Sequence, residues 1–191
     1  GSAEWIAARC GSVTASRVAD IIARTKSGHS ASRANYAAQI VCERLTGVVE
    51  EGYTNAAMQH GIDTEPEARR TYEFLTNNKV EEASFVRHPT IGDTGASPDG
   101  FVGDDGLLEI KCPNTATHIE TLRTGAIAGK YITQMQWQMA CTGRLWCDFV
   151  SYDPRMPAWA NIFIQRINRD EETITALGAE IITFLGEVRD A

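Results

Sequence analysis

At 191 residues, with 43% hydrophobic and 23% charged content, the chain has the length and composition of one globular domain over 1–191, since domains run to roughly 100–200 residues. A formal net charge of −7 argues against a protein that coats nucleic acid non-specifically, because such binding runs on clustered Lys and Arg. No stretch approaches the roughly 18 apolar residues of a membrane span, and the N-terminus lacks a basic region followed by an apolar run, so a soluble, cytoplasmic protein is expected.

The first predicted element is a helix over "TASRVADIIAR", with Thr14 or Ser16 as N-cap and Val18, Ile21 and Ile22 at helical spacing. Arg9, Arg17, Arg24, Lys26 and Arg33 concentrate around it, with Asp20 the one acid between Arg9 and Arg33; the run reads either as a local nucleic-acid contact or as a solvated face. A second helix covers "NYAAQIVCERLTG" and closes at Gly47. A third covers "NAAMQHGIDTEPEARRTYEFLTN", with Ala57, Gly61, Ala68, Tyr72 and Leu75 facing inward and Pro66 kinking or restarting it.

From Lys79 the period changes. "KVEEASFVRH", "GASPDGFVG" and "LLEIKCP" read as three strands, with Gly103 to Gly106 as a hairpin connection. Helical spacing returns in "YITQMQWQMACTG", "WCDFVSYDP" and "ANIFIQRIN" read as strands, and a helix from Asp170 to about Val188 ends the chain. Helices before and after a run of strands imply an α/β fold with a mixed central β-sheet flanked by helices.

The strand "LLEIK" carries the chemistry. Alternate side chains share a face, so Glu109 and Lys111 point together while Leu108 and Ile110 point to the other side. Pairing across the Gly103–Gly106 turn brings Asp99 toward Glu109, and two carboxylates repel unless a proton or a cation lies between them. Oxygen ligands of this kind suit Mg²⁺ or Mn²⁺, and the Lys111 ammonium would orient, or help deprotonate, the water such a cation activates. Taken alone, the Asp99…Glu109-x-Lys111 spacing also fits a surface salt bridge on an edge strand. Pro98 before Asp99, Gly100 after it and the apolar flanks point instead to charges embedded in a sheet core. Five cysteines without a Cys-x-x-Cys pair suggest free thiols rather than a disulfide framework or a zinc knuckle.

The run "SPDG" followed by "LEIKCP" resembles the PD-(D/E)XK nuclease superfamily, and within it the phage lambda exonuclease or YqaJ-type viral recombinase family. "W…R.G.VTAS", "G…E..AR..YEF", "Y..Q.Q..M" and "YDPRM" occur in that family's order as well, so the resemblance spans roughly residues 5–156. It implies a restriction-endonuclease-like core with Asp99 and Glu109 as metal ligands, the Ile110 carbonyl as a further ligand and Lys111 as the catalytic lysine. It places the family's helical glutamate at Glu65, with Glu67 as the neighbouring alternative on an exposed helix face. Arg9, Ser16, Ser97 and Gln134 fall on a pocket for a 5′-terminal phosphate, whose oxygens a guanidinium and hydroxyls at a helix start would bind. Ser16 also reads as a plain N-cap, and Gln136 stands as the alternative to Gln134. Met58 aligns with an apolar wedge at the duplex end or reads as core, and Lys26 is a further candidate DNA contact.

The chain departs from the family at "VRHPT", where an acidic residue is lacking, and the connection from Lys111 to Gln134 is shorter, which leaves "NTATHIETLRTGAIAG", His88 and His118 without a role. The resemblance implies a Mg²⁺-dependent 5′-to-3′ exonuclease, with Mn²⁺ as substitute, that digests one strand of double-stranded DNA to mononucleotides. A homotrimer ring around DNA ends, a single-strand annealing protein as partner and a phage or prophage origin in a bacterial host follow from the same source. The alternatives are a structure- or site-specific endonuclease on the same core and a non-catalytic DNA-end-binding subunit. The mark of the latter would be loss of Asp99, Glu109 or Lys111, and all three are present.

Overall fold

The computed structural model describes residues 3–49 and 56–191. Its centre is a five-stranded mixed sheet in the order β10-β9-β8-β7-β4. These strands are β4 (Val80–Glu81), β7 (Gly100–Val102), β8 (Gly106–Lys111), β9 (Trp146–Tyr152) and β10 (Ile162–Asn168). β8 pairs antiparallel with β7 and parallel with β9, so it is an interior strand and the edge-strand salt bridge is ruled out for Glu109. The β7–β8 hairpin turns on Gly103, whose φ of +54° favours a residue without a Cβ. Gly106 starts β8 under the Trp146 ring, where a Cβ would lie 2.1 Å from a ring carbon.

The parallel β8–β9 connection carries two helices, α5 (Thr115–Thr124) and α6 (Gly129–Thr142). Helix α5 has full capping, from Asn114 accepting the Thr117 N–H to Gly125 in the left-handed region, and it fills the stretch that the sequence left without a role. One face of the sheet, with Leu107, Cys147 and Phe149, packs on Met135 and Met139 of α6. The opposite face, with Leu108, Ile110 and Val150, packs on Ala68 and Tyr72 of α4 (Ala56–Thr76). α4 runs through Pro66 as one helix, so the chain does not restart there. Its inward stripe is also shorter than expected: Thr64, Ala68 and Tyr72 are buried, Ala57 and Leu75 are exposed, because α4 meets the sheet through its middle turns.

A second core joins α2 (Val18–Ile22), α3 (Ala31–Thr46), α6 and α7 (Glu171–Asp190) around Trp137, Tyr36 and Phe184. The expected first helix is broken into a 3₁₀ turn, Ala15–Arg17, and the short α2, and neither Thr14 nor Ser16 makes a side-chain cap bond. A helix that the apolar period did not reveal, α1 (Ala3–Arg9), precedes it. "KVEEASFVRH" divides between β4 and β5 (Val86–Arg87), and β5 joins β1 (Val13–Thr14) and β6 (Thr94–Ala96) in a separate three-stranded sheet. "GASPDGFVG" is likewise two strands, because Ser97, Pro98 and Asp99 turn the chain from β6 into β7. Among the described residues no helix is long and apolar enough to cross a membrane.

Candidate active site

The register of the hairpin places Gly100 opposite Leu108, so Asp99 enters the sheet beside Glu109. The Asp99 N–H donates to the Leu108 carbonyl at 3.1 Å, and its carboxylate accepts the Ile110 N–H at 2.6 Å. These two bonds tie the aspartate to the strand that bears Glu109 and Lys111. Burial, reinforced by the Glu109 and Glu65 carboxylates, pushes the Asp99 carboxyl well above its usual range, against the Lys111 ammonium and the Ile110 N–H. Three acids therefore share one field.

Glu109 is fully buried, and its bonds explain how the fold tolerates it. Oε1 accepts from Gln134 Nε2 at 2.7 Å and pairs with Lys111 Nζ; Oε2 accepts from Gln138 Nε2 at 2.6 Å. Both amides come from α6, four residues apart, and so stand on one helix face over β8. Burial works to lower the Lys111 pKa, but Glu109 and Asp99 outweigh it and hold the ammonium above its ordinary value.

Glu65 of α4 accepts from Arg69 Nη2 at 3.0 Å, whereas Glu67 accepts the Tyr152 hydroxyl at 2.8 Å. Of the two acids, Glu65 is the one that acts on Asp99. Cys112, next along the strand, is pushed up to about 12 by burial and by the Glu65 and Asp99 charges, so it remains a thiol.

The donor set can be tested against a divalent cation. Among the described residues no group of three or more His, Cys, Asp or Glu side chains forms a ready metal cage. Mg²⁺ does not require one, since it keeps several waters and binds through one or two carboxylates plus substrate phosphates. Asp99 and Glu109 supply hard oxygen ligands whose mutual repulsion a cation relieves, and among the described residues Oε2 of Glu109 has one donor for its two lone pairs. The residues fit such an ion.

Beside this cluster lies a cavity of about 150 Å³ lined by Trp5, Arg9, Thr14, Ala15, Ser16, Ser97 and Gln134. Arg9, Ser16, Ser97 and Gln134, far apart in sequence, thus meet in one cavity. Gln136 does not line it: its amide donates to the Asn168 carbonyl and accepts the Asp170 N–H at the start of α7. Ser16 faces the cavity from the 3₁₀ turn with its hydroxyl 3.3 Å from that of Thr14. Arg9 stacks over the Trp5 ring at 4.3 Å, and the Trp5 indole N–H donates to Ser97 Oγ at 2.9 Å. Burial lowers the Arg9 pKa, with Tyr36 and Glu43 opposing, and among the described residues its guanidinium makes no ion pair. Trp5, Thr14 and Gln138 are the site residues that sequence reasoning missed. The Trp5 motif was visible, but a contact between residues 5 and 97 was not.

The segment that carries Arg9 and Ser16 is pinned by α3. Glu43 accepts the Gly11 N–H at 2.9 Å, Arg44 donates to the Gly11 carbonyl at 2.9 Å, and the Tyr36 hydroxyl accepts the Thr14 N–H at 3.0 Å. A larger groove of about 810 Å³ adjoins the cavity and shares Trp5, Arg9, Thr14 and Ser16 with it. Met58 lines this groove and is 52% exposed, so it is not a core residue. Lys26 is exposed on the turn between β2 (Arg24–Thr25) and β3 (Gly28–His29), outside both cavities.

Three residues of the N-terminal basic run pair with acids: Arg17, which also lines the larger groove, with Asp20, Arg24 with Glu180 at the surface, and Arg33, buried, with Glu187. His118 is also structural, fully buried between the Ser151 hydroxyl and the Ala160 carbonyl. His88 stacks on Trp137 and accepts the Ile91 N–H at 3.0 Å.

The model of the YqaJ-like viral recombinase domain matches residues 4–145. The chain is 54% identical to the alkaline exonuclease LHK-Exo from Laribacter hongkongensis, covering 99% of this chain and 93% of that one at a TM-score of 0.92. The same enzyme solved in complex with dAMP gives a TM-score of 0.93 at the same identity and coverage. A phage-related exonuclease from Haemophilus somnus shares the fold, with a TM-score of 0.76 over 93% of each chain, at 15% identity. No curated protein matches the chain.

Proposed function

The chain belongs to the YqaJ-like viral recombinase domain family as a homologue of an alkaline exonuclease, and from that premise we propose that it is a Mg²⁺-dependent 5′-to-3′ exonuclease on double-stranded DNA. It would remove mononucleotides from one strand and leave a 3′ overhang for a single-strand annealing partner, in the cytoplasm of a phage or prophage host. One observation carries this reading: the cavity built from Arg9, Ser16, Ser97 and Gln134 is joined through the Gln134 amide to Glu109 of the acidic cluster. An anion pocket one side chain away from a carboxylate–lysine site is what stepwise cleavage from a phosphorylated end requires.

The residues divide the work as follows. Arg9 forks onto the terminal phosphate while Ser16 and Ser97 add neutral donors, which sets the distance between the chain end and the cluster. Asp99, Glu109 and the Ile110 carbonyl would hold the cation, with Glu65 adding negative charge from α4. When bound, that ion supplies neutralisation and polarisation of the scissile phosphate and of the attacking water. Lys111, paired with Glu109, would orient the water and offset charge that develops on the phosphate. Each cut leaves a new 5′ phosphate that moves into the pocket, so the site advances by one nucleotide.

The net charge of −7 would oppose unspecific adhesion to DNA, and an enclosing homotrimer would keep the enzyme on its track without it. Digestion of linear, nicked and covalently closed duplex, each with Mg²⁺ and with EDTA, tests the reading. Loss of the linear substrate alone, abolished by EDTA, is expected. Cleavage of closed circles would favour an endonuclease.

A further inference from the structure

We propose that Gln138 is a positioning residue that sets the affinity of the acidic cluster for its divalent cation, an inference that rests on the metal-dependent reading above. Its Nε2 donates to Glu109 Oε2 at 2.6 Å, and the residue is fully buried. The two other donors to Glu109 both use Oε1, and both have a competing task. Lys111 is 28% exposed and, in the proposed reaction, would answer to charge that develops on the phosphate. Gln134 borders the phosphate cavity, where a phosphate oxygen would compete for its amide. Gln138 lines neither that cavity nor the adjoining groove, so it reaches Glu109 from the closed side and nothing in the cycle displaces it.

The other end of the same side chain supports the assignment. Gln138 Oε1 is buried and has no hydrogen-bond partner among the described residues. A buried carbonyl in that condition destabilises the fold, and an apolar side chain of similar size, such as Met135 and Met139 beside it, would fill the space without the penalty. Packing therefore does not account for an amide here, whereas fixing one rotamer of Glu109 does. Groups that hold a ligating carboxylate from behind set both the direction of its oxygens and its affinity for the ion.

The test is Mn²⁺ binding, read from the electron paramagnetic resonance signal of the free ion, for wild type, Gln138→Met and Gln138→Asn. Methionine removes the donor at similar volume; asparagine keeps an amide but withdraws it by one methylene. Both variants are expected to bind Mn²⁺ about 10–100-fold more weakly, the range for loss of a group behind a metal ligand. KM for duplex ends should stay within about twofold while kcat at fixed Mg²⁺ falls and recovers as Mg²⁺ is raised, a split that a general packing defect would not produce. If the methionine variant does not fold, the asparagine variant decides. A folded variant that binds Mn²⁺ as tightly as wild type overturns the assignment. Failure of the wild type itself to bind Mn²⁺ overturns it together with the metal-dependent reading.

Discussion

Replacing Lys111 with methionine removes the one cation that, among the described residues, contacts a fully buried carboxylate, Glu109. Removing one partner of a buried ion pair costs about 3–5 kcal/mol, because the other charge is left uncompensated. Two features bring the expectation below that range. Glu109 keeps its amide donors at 2.7 and 2.6 Å, and the Lys111 side chain is 28% exposed. A loss of about 2–3 kcal/mol is expected without metal, equivalent to a fall in Tm of roughly 4–12 °C for a chain of this size. A dication between Asp99 and Glu109 would replace the missing charge, so the variant should gain more stability from Mg²⁺ than wild type does. Thermal unfolding with EDTA and with rising Mg²⁺ measures this, and digestion of linear duplex in the same buffers should fall by about 10²-fold or more, as for loss of a group that stabilises developing charge. Full activity, or a deficit in stability that Mg²⁺ leaves unchanged relative to wild type, would refute the reasoning.

Arg9→Ala should lose the preference for phosphorylated ends that the proposed pocket predicts, since charge-assisted contacts of roughly 1.5–3 kcal/mol correspond to about one to two orders of magnitude in initiation rate. Arg9→Lys should recover only part of it, because a lysine keeps the charge but neither forks onto phosphate nor stacks on Trp5 as the guanidinium does at 4.3 Å; initiation kinetics on both kinds of end check both variants. Burial raises the Asp153 pKa, but bonds from Arg155, Thr115 and the Arg155 N–H outweigh it and bring the carboxyl from its ordinary 3.8 to about 2. A depressed carboxylate contributes stability that is complete above the unfolded value and is lost as pH falls through the folded one. Asp153→Asn should therefore flatten the wild type's loss of about 1–2 kcal/mol between pH 4 and pH 2, the range being reduced for the exposure of Arg155, as measured by urea unfolding across that interval. Light scattering should give three times the chain mass of 20.9 kDa; a strict monomer that digests long duplex without dissociating would defeat the enclosing ring.

The face that carries Glu109 and Lys111 was legible because a strand has a period of two, and the hairpin was legible because Gly103 and Gly106 mark its ends. Asp99 could be set beside Glu109 from that turn alone. The grouping of Arg9, Ser16, Ser97 and Gln134 needed the family resemblance, since no local period joins a helix end, a 3₁₀ turn, a strand end and the middle of α6. Gln138 stayed hidden because a glutamine among methionines on a buried helix face gives no signal until the register over β8 is known. The short strands β4 and β5 read as one segment because their apolar pattern continues across Glu82 to Phe85, while long-range pairing assigns them to different sheets. Pro66 showed the limit of local rules: contacts of Ala68 and Tyr72 with the sheet hold α4 together through a residue that removes a helix bond.

The measurement closest to the central claim compares wild-type initiation on one linear duplex prepared with 5′-phosphate and with 5′-hydroxyl ends, in Mg²⁺. The cavity of Arg9, Ser16, Ser97 and Gln134, tied to Glu109 through Gln134, predicts faster digestion from the phosphorylated end by about one to two orders of magnitude. Equal rates from both ends would contradict the phosphate pocket and, with it, the account of stepwise 5′-to-3′ cleavage.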